Sequence, residues 1–550
     1  MNKNITWEQT SQSLKAAEQQ KATHIGEMED AFLYIAPHRS IYRTRNTTTD
    51  RKKIYDTTAL ESCRALTTHT QRFLIPQNAR WSMLEWSTPQ LKREFGSQLA
   101  DWMEGANQAL NRVWQKSNFY IALDESLWDV CVVGTGAIAI VDAPNEPLQF
   151  MSVPIAELFF LLDYAGNARD VFRCVELTNA QVERKWPGKL PTWDTSPALN
   201  EQTRHIVEHE HKYTRWDKAA GAEITYYCYS VWDKATGTLL SQQHSPHQTY
   251  FIYFWDRAPK QTWGEGPGLQ ALPDIRTVNL MVEDLLTRSA FEARGLWQTP
   301  DETINEKQLN GRMRPGSVVK VRDALTPVPF PGNFSIAVNA IQTTRSQIRA
   351  LFYNNALNPD PSQPTYQPAT EVAFRRELFA AGVGQGPAKR IDSQLLLPLA
   401  RGVWNRLVAR GDVEPPSPQY LQSIGIPANQ LDEVFRVTIY AAVQRAQEMA
   451  QAQTNLQGYI SLVQAVGDAT VVSKQFDIAK LIRSTAEKLG VELSVMRDPK
   501  EVERIDQIQQ QQEQMLAAMN LVQQAGGAMQ AINQAQTPPQ PNMPNMPPSV

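Results

Sequence analysis

Trp263-Gly264-Glu265-Gly266-Pro267-Gly268-Leu269-Gln270-Ala271-Leu272-Pro273-Asp274-Ile275-Arg276-Thr277-Val278-Asn279 is the stretch that decides how the chain is read. Glycines at 264, 266 and 268 make a tight turn, and Gly266 followed by Pro267 opens a helix. Glycine is tolerated at a helix cap and proline suits the first helical position. Ile275, Val278, Met281, Val282, Leu285 and Leu286 then recur at helical spacing up to Gly295. Pro273 should bend the first turns. Glycine-rich turns also cradle dinucleotides and phosphates, but such a loop needs a strand before it and a parallel strand after its helix. Neither is expected here, and the chain has no Gly-Lys-Ser or Gly-Lys-Thr, so the stretch reads as a turn feeding a helix.

Outward from that helix, residues 298 to 333 turn polar, with Pro300, Pro315, Pro327, Pro329 and Pro331 around the strand-like Ser317 to Val321. This is a compact βα insert. Helical spacing resumes at Ile336, Ile341, Ile348 and Leu351-Phe352. So short an insert returns the second helix antiparallel to the first. Pro359, Pro361, Pro364 and Pro368 make 358 to 369 an irregular loop. A helix is expected from Thr370 to about Arg410, interrupted at Gly382 to Pro387 and kinked at Pro398. Pro415-Pro416-Ser417-Pro418 marks a boundary, followed by a helical segment from Gln430 to Leu489. Asp498-Pro499-Lys500-Glu501 signals the start of a last, Gln-rich helix, and the Pro/Asn/Met tail from Thr537 has a disordered composition.

Upstream, 5 to 36 and 53 to 118 read as helical, with Arg72 to Pro76 opening a loop that leads to Trp81 and Leu84, whereas Trp128 to about Trp255 turns to strands. Val132 to Val141 reads as two β-segments about a glycine turn, and Ile155 to Leu162, Ile224 to Trp232 and Tyr250 to Phe254 are strand-like. The class is therefore α+β, mostly helical.

With 550 residues, 42% of them hydrophobic and 20% charged, the chain can bury the cores of several domains. No apolar run reaches the ~18 residues of a membrane-spanning helix, and the N-terminus does not read as a signal peptide. Cys63, Cys131, Cys174 and Cys228 are widely spaced and read as reduced thiols. The net charge of −3 is informative, because a protein that grips DNA through its phosphates carries a basic excess.

His205, His209 and His211 with Glu208 and Glu210 form the densest metal-like cluster. On a strand, positions 209 and 211 face one way, as metal ligands require. The alternative is a solvated strand of mixed charge from Thr203 to Trp216; no His-Glu-x-x-His helix or cysteine ligand supports a metal, and none is expected. No Gly-x-Ser-x-Gly elbow is present. The sequence argues against an enzyme. Lys307, Arg312, Arg314, Lys320 and Arg322 cluster on the insert, and Arg345 and Arg349 share one face of the second helix. That face either lines a channel or meets a neighbouring subunit, where Glu283, Asp284 or Glu292 of the first helix would be its partners.

The 263–279 string resembles the portal, or head-to-tail connector, proteins of short-tailed podovirus bacteriophages. Further similar strings are Lys53 to Asp56, Arg72 to Pro76 with Trp81, Gly134 to Ala137, Ala369 to Val372 with Arg375 and Glu377, Gly386-Pro387, and Leu395 to Leu399. Ile439-Tyr440, Arg445 to Gln447 and Phe476-Asp477 complete the set, in order over most of the chain. The resemblance implies a dodecameric ring at one capsid vertex, made in the host cytoplasm and carried in the virion, with no cofactor. It implies a wing (1–262), a turn and first stem helix (263–296), a clip (297–333), a second stem helix (334–356), a tunnel loop (357–370) and a long wing helix (371–411). A crown (412–497), a helical barrel (498–536) and a disordered tail (537–550) would follow. It assigns Asn358, Asp360, Gln363, Thr365, Tyr366 and Gln367 to the channel constriction, and Glu283, Asp284, Arg288, Arg345 and Arg349 to the channel wall or subunit contact. Lys307, Arg312, Arg314, Lys320 and Arg322 fall to the clip, which meets the large terminase subunit and later the tail adaptor. Double-stranded DNA, scaffold and major capsid protein are the other implied partners, with no membrane. The rival readings are an internal virion or ejection protein, suggested by the Gln-rich C-terminus, and a metal-dependent hydrolase using the histidine cluster.

Overall fold

The computed structural model describes residues 5–39, 53–75, 80–88, 90, 99–141, 148–189, 201–217, 222–294, 297–299, 318–320, 334–354, 379, 382–384, 386–414, 416, 435–439, 454–462, 464–465 and 485. Two compact units divide the chain, 1–444 and 445–550. In the second, residues 454–462 are helical.

The first unit begins with α1 (Trp7–Ala22), set by a capping box: the Thr6 hydroxyl accepts from the Gln9 amide while the Gln9 side chain accepts from the Thr6 amide. Next come α2 (Ile25–Ile35), α3 (Thr58–Leu74), β1 (Ser82–Trp86), α4 (Ala100–Lys116) and α5 (Phe119–Val133). The strand-rich part is β2 (Thr135–Val141), β3 (Gln149–Ser152), β4 (Leu158–Leu162), β5 (Ala168–Thr178), a short α6 (Asn179–Lys185), β6 (Thr203–Asp217), β7 (Ala222–Asp233), β8 (Leu239–Ser245) and β9 (Tyr250–Phe254). The long α7 (Pro267–Arg294) runs through Pro273 without ending, and β10 (Trp297–Thr299), β11 (Val318–Lys320) and α8 (Phe334–Leu351) follow. The described part of the unit closes with α9 (Pro387–Ile391), a π-helical turn (Asp392–Leu396), α10 (Leu397–Arg410) and β12 (Phe435–Ile439).

Two antiparallel sheets organise these elements. One has the order β3-β2-β9, the other is the meander β4-β5-β6-β7-β8. The main core gathers α2 to α5, the three-stranded sheet, α7, α8 and α10 around side chains such as Trp114, Phe119, Phe251 and Val403. One face of the meander packs Phe172, Val207 and Trp232 under Leu14 and Ala17 of α1. A separate cluster of Val182, Ile206, Val231 and Leu240 includes α6.

Several expectations change. Val132 and Val133 belong to a helix: they close α5, Gly134 ends it with φ 78°, and only then does β2 begin. Positions 126–133 are all buried, so the second half of this helix shows no amphipathic period and reads as a strand. Strand β1 forms where a loop leading to Trp81 and Leu84 was expected, and β12 interrupts the helical reading of 430–489; the two pair antiparallel, Leu84 opposite Val437. Each is a five-residue segment, too short for periodicity to separate it from helical flanks. Near Pro398 the expected irregularity takes the form of the π-turn. The Leu397 amide bonds the Asp392 carbonyl five residues back, a wider turn just before a proline that cannot donate. Within the insert, the strand expected around Ser317 to Val321 is β11, and it pairs parallel with β10. The four cysteines are free thiols.

Candidate functional site

The glycine turn packs directly onto the end of α5. Glu265 donates its amide to Asp256 (2.8 Å), Gly264 to the Thr135 hydroxyl (2.9 Å), and Trp255 to the Gly134 carbonyl (2.9 Å). A Cβ on Gly134 would lie 2.2 Å from the Glu265 backbone, and one on Gly266 would lie 2.6 Å from the Gly134 nitrogen. Two backbones this close exclude any side chain, and Gly134 also needs the left-handed region that glycine enters without strain. The strings 134–137 and 263–268 are thus one physical junction, which fixes the start of α7.

From there α7 divides cleanly by face. Ala271, Leu272, Ile275, Val278, Asn279 and Val282 are buried, whereas Pro273, Thr277, Leu280, Asp284 and Arg288 form an exposed stripe at steps of three and four. Leu280 is 60% exposed and Leu286 53%. Asn279 is a buried staple: its carbonyl accepts from the amides of Tyr55 (2.7 Å) and Asp56 (3.4 Å), and its amide donates to Lys53 O (3.0 Å). Arg276 pairs with Asp30 of α2 at 2.5 Å.

Helix α8 is held along a narrower seam. Ile341 and Ile348, seven residues apart, are buried together with Phe352 just beyond the helix. Ile336 is 67% exposed and Val338 41%. Arg345 donates through Nε (2.8 Å) and Nη2 (2.7 Å) to Asp56 Oδ2 of the same chain. Burial works to raise the Asp56 carboxyl, but the Thr58 donors and the Arg345 guanidinium outweigh it and hold it below its ordinary range. Glu283 accepts from the Tyr55 hydroxyl at 3.2 Å. Asp284, Arg288 and Arg349 are exposed on the two helices. Asp56 and Asn279 stand in the similar strings but were given no site role from sequence; a lone polar residue inside the apolar stripe of α7 was the available signal for Asn279.

Lys320 lies on β11, whereas Lys307, Arg312, Arg314 and Arg322 fall outside the described residues. Asn358, Asp360, Gln363, Thr365, Tyr366 and Gln367 fall outside them too, as do the barrel and tail positions.

The histidine strand is formed as expected, but it is not solvated: Glu208, His209 and Glu210 are each 2% exposed. Strand alternation separates the cluster. Glu208 and Glu210 face the opposite way from the histidines; Glu208 accepts from the Tyr250 hydroxyl (2.5 Å) and Lys185 (3.0 Å), and Glu210 from the Thr249 amide (2.6 Å). Burial lifts the Glu210 carboxyl to about 7 against those backbone donors. On the histidine side the third member is Asp170 of β5, which no local pattern around 205–211 could reveal.

A long helix seated on a glycine junction lies beside a second helix that leaves much of its surface exposed. Over residues 8–496 the chain matches the family of bacteriophage head to tail connecting proteins, and it belongs to that family. It is 20% identical over 541 residues to the portal protein of Salmonella phage epsilon15, an alignment covering 92% of this chain and 91% of that relative. The chain is thus a phage portal, or head-to-tail connector, and a component of the virion. No helix among the described residues is long and apolar enough to cross a membrane.

Proposed function

We propose that copies of this chain close into a dodecameric ring at one capsid vertex, through which double-stranded DNA is packaged and later ejected. The observation that carries this reading is the apolar surface on two adjacent helices: Leu280 and Leu286 on α7, Ile336 and Val338 on α8. Each is apolar area whose removal from water by a neighbouring copy would favour association. A ring uses one face of a subunit against a different face of the next, and two unlike helices supply the two faces. In this reading α7 and α8 are the stem, 297–333 the clip that docks the large terminase subunit and then the tail adaptor, and 357–370 the tunnel loop. Residues 1–262 and 371–411 form the wing, 412–497 the crown, and 498–536 a barrel. Asp284, Arg288 and Arg349 are the stem charges placed for the channel wall or the neighbour, while Arg345 anchors α8 to Asp56. The net charge of −3 suits a conduit, since every phosphate contact formed must break as the duplex moves.

Negative-stain imaging of the purified full-length protein should give hollow rings. Deleting 358–368 should leave the rings intact but abolish packaging or retention of DNA. A strictly monomeric protein at high concentration overturns the ring, and normal packaging by the deletion overturns the channel role of the loop.

A further inference from the structure

The connector role leaves one buried cluster unused. Strands β5 and β6 pair so that Asp170 lies opposite His211 and Phe172 opposite His209. In an antiparallel pair, opposed residues and those two positions away share a face. The three side chains therefore converge: Asp170 Oδ1 lies 2.5 Å from His211 Nδ1 and 3.2 Å from His209 Nε2, and the three donor atoms all fall within 4.8 Å of one another. Asp170 and His209 are buried, while the His211 side chain is 21% exposed and opens the cluster to solvent.

We propose that Asp170, His209 and His211 bind a divalent transition-metal ion of the zinc type. Two imidazoles and one carboxylate are a zinc-type donor set, and three protein ligands leave a fourth position, on the His211 side, for water. Bonds of ~2.0–2.1 Å around a tetrahedral ion put neighbouring donor atoms ~3.3 Å apart. The Asp170–His209 pair already has that spacing, and the Asp170–His211 pair must open by less than ~1 Å.

The surrounding residues suit the same use. His209 Nδ1 lies 3.3 Å from the Thr10 hydroxyl, so with Nε2 turned to the ion its proton sits on Nδ1 and is donated to Thr10. The imidazole stacks on Phe172 with centroids 4.3 Å apart, which fixes its plane. Arg169 Nε holds Asp170 Oδ2 at 2.7 Å, leaving Oδ1 as the ligand oxygen. Because Thr10 belongs to α1, an ion here tightens the attachment of that helix to the meander. The competing account is a purely hydrogen-bonded Asp170 with no affinity for metal.

Untagged full-length protein is stripped with chelator, given one equivalent of Zn²⁺ per subunit, desalted and assayed for metal. The expected result is ~1 zinc per subunit, a rise in the unfolding midpoint that chelator reverses, and visible ligand-field bands when Co²⁺ replaces zinc. Asp170→Asn and His211→Ala should lose the retained metal. His205→Ala should keep it, because His205 is exposed on the same strand and faces Glu176 instead. Wild-type protein that retains no zinc and shows no cobalt bands overturns the site whatever the variants do. So does an equal loss in His205→Ala.

Discussion

Glu210 is the residue whose burial should be visible in solution. Its carboxyl rises from 4.5 to about 7 in the folded chain, burial being the main cause. Between those values the folded protein keeps the proton and the unfolded chain has released it. The contribution to stability is therefore complete below the lower value and is lost as pH climbs to about 7, a loss of roughly 3 kcal/mol at most. Asp129, also buried, is raised to about 7 and titrates in the same window, so the readout is a difference between two proteins. Glu210→Gln cannot ionise; its urea-unfolding free energy should fall less steeply from pH 4.5 to 7 than that of the wild type. Identical slopes would remove Glu210 from the account. At this scale the sequence was legible only where residue type and local spacing suffice. His209 and His211 share a face because strands alternate, and glycines 134, 264 and 266 announce close backbone. Asp170 reaches the histidines through sheet register alone, and the amides that bond Glu210 are those of Thr249 and Tyr250, distant in the chain, so neither could be read from the flanking residues.

Among elements, α7 and α8 were the most legible, because each carries enough turns for apolar periodicity to stand out. The structure places them at Pro267–Arg294 and Phe334–Leu351, close to the expected spans. Helix α5, 15 residues against 28 and 18, was half misread for the opposite reason: its second half, 126–133, is buried on every side and loses its period. What ties α7 to the segment before α3 is Asn279, with two amides and a carbonyl of residues 53–56 satisfied by one side chain. Asn279→Ala leaves those groups without that partner, at a cost of roughly 1–3 kcal/mol each where they stay buried. The segment is expected to open locally before the rest unfolds. Hydrogen exchange at the Tyr55 and Asp56 amides should quicken by ~10- to 100-fold, with slower change in the three-stranded sheet. Unchanged protection of those two amides would mean that the Arg345–Asp56 pair and the Tyr55–Glu283 bond suffice to hold the segment.

The largest scale joins the exposed Leu280 and Leu286 of α7 to the exposed Ile336 and Val338 of α8. Each is tolerated on a lone subunit only as a solvation cost, and each becomes favourable when a neighbour covers it at ~25 cal/mol per Å². A ring multiplies that gain, since every subunit offers both helices, so weak contacts at each junction close the circle cooperatively. Leu280→Asp and Ile336→Asp test this without touching the core, because both side chains already face solvent in the single chain. The subunit should keep its circular dichroism and its unfolding midpoint. A carboxylate buried against a neighbour must either be desolvated or force the surfaces apart, which costs several kcal/mol per junction. Size-exclusion chromatography with light scattering should therefore shift from ring to monomer for either variant, and most completely for the pair. If both variants still run as rings, the neighbouring subunit does not cover these helices, and the lateral contacts lie on another part of the chain.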